Sequence, residues 1–270
     1  MATYLDRIGA WHRERAADDK RDLAKLEAEA MAQAPPRDFL GALKGSKAPG
    51  DGSRKMALIA EIKRRSPSKG DIAPDLDPAV LAREYAEAGA SCLSVLTDGP
   101  HFGARANDLA LARAAVGLPV LRKDFTVAPA DLYDARIMGA DAVLLIVALL
   151  DRSELVEFHR IALCLGLAPL VEVHDEEELA RALELEARLV GVNQRDLHSF
   201  EVDRARARRV AAHIPAGVVK IAESGVDSGA ELDVLAEAGF DGVLVGESLL
   251  RARDRRAAVA ALMGRRVPCG

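Results

Sequence analysis

Eight short apolar runs are spaced along this chain, and polar or charged residues close most of them. They are LIAEIK (58–63), CLSVLTD (92–98), PVLRKDF (119–125), DAVLLIV (141–147), PLVEV (169–173), LVGVNQRD (189–196), VVKIAES (218–224) and GVLVGES (242–248). They recur about every 25 residues with helix-like segments between them, the alternation that a parallel (β/α)₈ barrel produces. A barrel of this kind takes ~250 residues, so a chain of 270 residues fits one barrel with a short extension. An open, doubly wound sheet competes with this reading, but the chain offers no GxGxxG turn to go with it.

Helix boundaries support the alternation. Asp77-Pro78 stands before AVLAREYAEAG, Pro129-Ala130-Asp131 before LYDARIMG, and Asp175 before EEELARALELE. AGASCLSVL (88–96), MGADAVLLI (138–146) and AGFDGVLVG (238–246) repeat one unit of helix end, glycine, short loop and strand. The glycine suits a helix C-cap with positive φ. Residues 1–33 read as one or two helices with an apolar stripe of Leu5, Ile8, Leu23, Leu26 and Met31, stopped by Pro35-Pro36. A polar Gly-rich loop, 45–54, follows. The expected organisation is a single domain, with residues 1–56 as a helical arm and loop and 57–270 as the barrel.

In a barrel of this class the chemistry sits at the C-terminal strand ends. The polar residues there are Glu61, Lys63, Lys123, Glu172, Asn193, Arg195, Glu223 and Ser224. Strand side chains alternate, so Glu61 and Lys63 share a face, as do Asn193 and Arg195. One such pair is explained by a structural ion pair at the mouth; charged ends on so many strands point to a site. Lysines among carboxylates suit general acid–base chemistry, because neighbouring charges and burial move their pKa values apart. ESG (223–225) and GES (246–248) close the last two runs, where this fold often holds a phosphate on backbone N–H groups. Ser66 could add a hydroxyl or cap a turn.

Composition narrows the alternatives. The net charge of −5 argues against a nucleic-acid binder, and RARARRVAAH (204–213) reads as a solvated helix face. Cys92, Cys164 and Cys269 share no metal spacing; the first two lie in apolar runs and read as buried thiols. His101, His174 and His198 read as polar loop residues, with no metal set among them. No apolar stretch has the length of a signal peptide or membrane span, so a reducing cytoplasm is expected.

The segments AEIKRRSPSKG (60–70), SVLTD (94–98), FG (102–103), LRKDF (121–125), LVEVHDEEEL (170–179), GVNQRDL (191–197), IAESG (221–225) and GVLVGESLL (242–250) closely resemble the indole-3-glycerol-phosphate synthase family. The resemblance covers the barrel, and the helical arm also fits. It implies a TIM barrel and a carboxy-lyase of tryptophan biosynthesis. The implied reaction closes the indole ring of 1-(2-carboxyphenylamino)-1-deoxyribulose 5-phosphate, with loss of carbon dioxide and water and with no cofactor or metal. By the same resemblance Lys123 is the general acid and Glu172 its acid–base partner. Lys63 contacts the substrate anions, while Glu61, Asn193 and Glu223 hold hydroxyls and orient the lysines. Ser66, Phe125, Arg195 and Ser224 are expected to bind substrate, and Gly225, Gly246 and Glu247 to line the phosphate site. The implied partner is a phosphorylated small molecule, with no nucleic acid, no membrane and a monomeric chain. Ala104 stands where the family commonly has a second glycine, which puts the loop after the second run in question; the HSFEVD that follows GVNQRDL also varies.

Two rivals remain. Phosphoribosylanthranilate isomerase uses a cysteine base at its first strand, where this chain has Glu61 and Lys63. A non-catalytic phospho-ligand barrel would not need both lysines and the carboxylates.

Overall fold

The computed structural model describes residues 3–44, 54–196, 201–263 and 266–267. Each apolar run contributes one parallel strand: β1 (Ala57–Ile62), β2 (Cys92–Leu96), β3 (Val120–Lys123), β4 (Ala142–Ile146), β5 (Ala168–Val173), β6 (Leu189–Asn193), β7 (Val219–Glu223) and β8 (Gly242–Val245). Neighbours in sequence are neighbours in the sheet, and β8 returns to pair with β1 through Gly242↔Ala57 and Val245↔Ala60. That pairing closes the barrel and removes the open-sheet alternative.

Alternation along each strand divides the core in two. Ala57, Ile59, Cys92, Leu121, Leu144, Leu170, Ile221 and Leu244 pack together inside the barrel. Leu58, Ala60, Leu93, Val95, Val143, Val171 and Val243 face the helical layer. The expected caps are present. Asp77 accepts from the N–H groups of Ala79 and Val80, and Asp175 from that of Glu178. The repeat glycines Gly89, Gly139 and Gly239 have φ of 101°, 90° and 79°, conformations that a side chain would strain.

Among its described residues the arm forms three helices. α1 (Tyr4–Asp18) lies at the barrel mouth, and Arg13 ties it to Glu154 and to the carbonyl of Leu149. α2 (Leu23–Met31) is followed by Arg37, whose backbone N–H donates to Asp141 at 2.8 Å. α3 (Phe39–Leu43) buries Phe39 and Leu43 against the interior layer that holds Ala57 and Cys92. The arm thus reaches both ends of the barrel. The expected apolar stripe is correct at Leu5, Ile8 and Leu26, but Leu23 and Met31 are exposed. Cys92 is buried, whereas Cys164, at the end of a helix over Arg152–Cys164, is exposed and not the buried thiol its apolar run suggested. Cys269, His198 and the loop over 45–53 lie outside the described residues. Among the described residues no helix is long and apolar enough to cross a membrane.

Candidate active site

Four alternate strands each turn one ionisable side chain inward at the mouth: Glu61 from β1, Lys123 from β3, Glu172 from β5 and Glu223 from β7. Glu61, Glu172 and Glu223 are buried. Lys123 Nζ lies 3.1 Å from Glu172 Oε2 and 3.6 Å from Glu223 Oε2. Lys63 Nζ, just past β1, lies 2.5 Å from Glu61 Oε1.

This arrangement separates the proton affinities of its members. Burial works against the Lys123 ammonium, but the carboxylates of Glu172, Glu223 and Glu61 outweigh it and raise the pKa above the usual lysine value. Burial also works against the Glu172 carboxylate, yet Lys123, His174 and a hydrogen bond from Asn193 hold its pKa below the usual range. Glu223 goes the other way. Burial and the neighbouring Glu172 charge push its pKa well above the ordinary 4.5, beyond what Lys123 offsets. The group therefore brings together an ammonium, a carboxylate of lowered pKa and a second carboxyl of raised pKa around Lys123.

Two glycines make room for these acids. A Cβ on Gly191 of β6 would overlap Glu223 Oε1, and one on Gly246, just after β8, would overlap Glu61 Oε1. Neither glycine has a positive φ, so each is present for space.

A cavity of about 630 Å³ opens above the cluster. Every residue expected from the sequence lines it: Glu61, Lys63, Ser66, Lys123, Phe125, Glu172, Asn193, Arg195, Glu223, Ser224, Gly225, Gly246 and Glu247. One side is apolar, with Leu96, Phe102, Phe125, Leu144 and Ile146. The other carries the loops after β7 and β8. There Ser224 and Gly225 both adopt left-handed backbone, with φ of 63° and 70°. Gly246 precedes the short helix Glu247–Arg251, whose N-terminus has no side-chain cap. Arg195, Arg204 and Arg251 line this side, Arg204 pairing with Asp227 at 3.2 Å and Arg251 with Glu247 at 3.0 Å.

Sequence reasoning missed part of the site. The arm supplies Tyr4, Leu5 and Ile8 to the pocket wall. Their helical spacing was visible, but nothing in the sequence says that this stripe faces a cavity. His174 is the loop residue expected, just after β5, but its side chain is buried beside the cluster. Its Nδ1 lies 3.0 Å from Glu178 and its Nε2 3.8 Å from Glu172, and these carboxylates raise its pKa against the opposing effect of burial. His101 sits on a short helix over Gly99–Phe102 and hydrogen-bonds to Asp98. The basic stretch forms ion pairs, Arg206 with Asp196 and Arg209 with Glu176, as a solvated face does.

Fold and mouth together define a (β/α)₈-barrel enzyme. Solved structures of the same architecture include thiamine phosphate pyrophosphorylase from Pyrococcus furiosus, with TM-score 0.56, 17% identity, and coverage of 77% of this chain and 93% of that one. N-acetylmannosamine-6-phosphate 2-epimerase from Clostridium perfringens superposes at TM-score 0.54 with 13% identity, covering 71% and 86%. The family model described as indole-3-glycerol phosphate synthase matches residues 5–262. Proteins of that name are 48% identical in Rhizorhabdus wittichii, over 97% of this chain and 99% of the relative, and 44% identical in Polaromonas sp., over 98% and 99%. The chain belongs to the indole-3-glycerol phosphate synthase family, decarboxylating lyases of tryptophan biosynthesis.

Proposed function

We propose that this mouth converts 1-(2-carboxyphenylamino)-1-deoxyribulose 5-phosphate to indole-3-glycerol phosphate, carbon dioxide and water, with Lys123 as the general acid. The observation that carries the reading is the Lys123 ammonium, 3.1 Å from Glu172 and 3.6 Å from Glu223 at the end of β3. The ring carbon bearing the carboxylate attacks the ribulose C2 carbonyl. Negative charge builds on that oxygen, and Lys123 stabilises it and delivers the proton. Carbon dioxide then leaves, and the electrons of the broken C–C bond restore the aromatic ring. Glu172, held ionised, takes the C–H proton from the carbon bonded to the ring nitrogen, and the hydroxyl takes a proton from Glu223 and leaves as water. Glu223 suits that donation, because burial and the neighbouring Glu172 charge raise its pKa. Asn193 orients Glu172 by hydrogen bond, and Lys63, set by Glu61, meets the substrate carboxylate.

The two-sided cavity supports the same orientation. The aromatic ring fits the wall of Phe125, Ile146 and the arm. The phosphate fits Ser224, Gly225 and Gly246 with Arg195, and Ser66 faces it from the first loop. Acid, base and donor are all side chains of this chain, so the reading calls on no cofactor. It also takes arm (1–56) and barrel (57–270) as one working unit, a cytoplasmic monomer that binds neither nucleic acid nor membrane. The charge of −5 and the ion-paired arginines of 204–209 support it. Incubation with the carboxyphenylamino substrate should give indole fluorescence and stoichiometric carbon dioxide. Turnover of phosphoribosylanthranilate alone, with none of this substrate, overturns the reading.

A further inference from the structure

Beside the acid–base cluster lies a buried polar contact that the chemistry above does not use. His12, on α1, is 1% exposed. It stands on the same helix face as the buried Leu5 and Ile8, where an apolar side chain would satisfy packing alone. Its Nε2 lies 2.9 Å from Asp98 Oδ2, and the same oxygen lies 2.8 Å from His101 Nδ1. Asp98 Oδ1 accepts the backbone N–H of His101 at 2.7 Å. With the His12 proton on Nε2, the carboxylate accepts from both rings. The remaining His12 nitrogen, Nδ1, is buried without a partner. Both imidazoles converge on the one carboxylate, so Asp98 clasps the arm to the loop after β2.

The clasp joins the arm to the catalytic strand. The His12 ring lies 5.2 Å from that of Phe125, and its Nε2 is 4.0 Å from Asp124 Oδ1. Asp124 follows Lys123 directly, accepts the N–H of Phe125 at 2.8 Å and pairs with Arg122 at 2.9 Å. On the other side His101 meets the rings of Trp11 and Tyr4 at 5.5 Å and 6.5 Å. One imidazole thus touches both the arm's fastening and the residue that walls the pocket next to the proposed acid.

We infer that His12 is a positioning residue for the aromatic end of the substrate, locking α1 and Phe125 into one wall through Asp98. This rests on the reaction proposed above. It requires that losing the N–H spoil recognition of the ring while leaving the acid–base cluster and the phosphate loops, across the mouth, unchanged.

The test uses the full chain and the carboxyphenylamino substrate. His12→Phe keeps a ring against Phe125 but removes the arm's donor to the buried Asp98 carboxylate, leaving it only the contacts of His101. It should raise KM about tenfold or more, the effect of losing one hydrogen bond to a buried charge, with kcat within about threefold of the parent. Inhibition by inorganic phosphate should be unchanged. His12→Gln, which restores an N–H at the same reach, should recover most of the loss. If His12→Phe does not fold, Asp98→Asn carries the comparison and should raise KM in the same way. The inference is overturned if the folded variant keeps KM within twofold, or if the phosphate constant moves with KM, which marks a general loosening. Failure of the parent chain to turn over at all would instead sink the proposed reaction.

Discussion

Glu223 Oε1 fills the space that a Cβ on Gly191 would take. β6 therefore carries a glycine not for its backbone but so that the acid of β7 can lie across the barrel mouth. Adding one methyl there should push Glu223 away from Lys123 and Glu172. Gly191→Ala is expected to lower kcat by at least about tenfold, through displacement of a group in the acid–base cluster, while circular dichroism shows the barrel intact. An unchanged kcat would separate Glu223 from the chemistry.

Gly246 stands in the same relation to Glu61. Strand-end reasoning alone makes Gly246→Asp a KM variant, because a carboxylate would repel the phosphate. The structure adds that any side chain at 246 also collides with Glu61, the partner of Lys63. Gly246→Ala, which brings no charge, should therefore lower kcat as well as raise KM. A pure KM effect would restrict Gly246 to the phosphate.

Much of this was legible from residues. The strand runs, the helix caps at Asp77 and Asp175 and the glycines at 89, 139 and 239 follow from local rules of spacing and backbone conformation. The inward cluster followed too, since a charged residue at a barrel strand end has few places to go. What could not be read depends on distant contacts. Leu23 and Met31 continue the apolar pattern of the arm but stay exposed, because the helix they share turns other residues to the barrel. His12 looks like one more polar residue of a charged helix; only its meeting with Asp98, far along the chain, gives it a partner. Likewise no local pattern says that Gly191 stands opposite Glu223.

The raised pKa of Glu223 has a consequence for stability. In the unfolded chain the carboxyl titrates near its ordinary 4.5; in the folded chain it holds its proton to higher pH. Below the unfolded value both states are protonated and the group adds no pH dependence. As pH rises through the window above it, the folded state binds more protons, so stability falls until the folded pKa is passed. Glu223→Gln mimics the protonated acid and does not titrate. Its Tm relative to the parent should rise from pH 5 to pH 8 while kcat falls. A Tm difference that stays flat with pH would contradict the assigned protonation.

Gly225 probes the phosphate loop separately. Its φ is 70°, and a Cβ there would overlap Val202. Gly225→Ala meets a left-handed strain of about 1–2 kcal/mol as well as that overlap, and the loop should move. The expected result is a raised KM and weaker inhibition by inorganic phosphate, with kcat much less affected. Unaltered phosphate inhibition would place the phosphate elsewhere.

The central claim is that Lys123 serves as acid and oxyanion donor in ring closure. Its ammonium stays charged above the usual lysine range, so it is available across the working pH. The most direct measurement is kcat for Lys123→Met against the parent chain, following indole fluorescence at saturating carboxyphenylamino substrate. Loss of a general acid costs ~10²–10⁴-fold and loss of an oxyanion donor ~10²–10³-fold. The account expects kcat to fall at or beyond the upper end of the first range, with substrate affinity changed far less. A folded Lys123→Met protein whose kcat stays within a few-fold of the parent would contradict it. Lys123 and Glu172 would then be a structural ion pair, and the acid would have to be sought at Lys63.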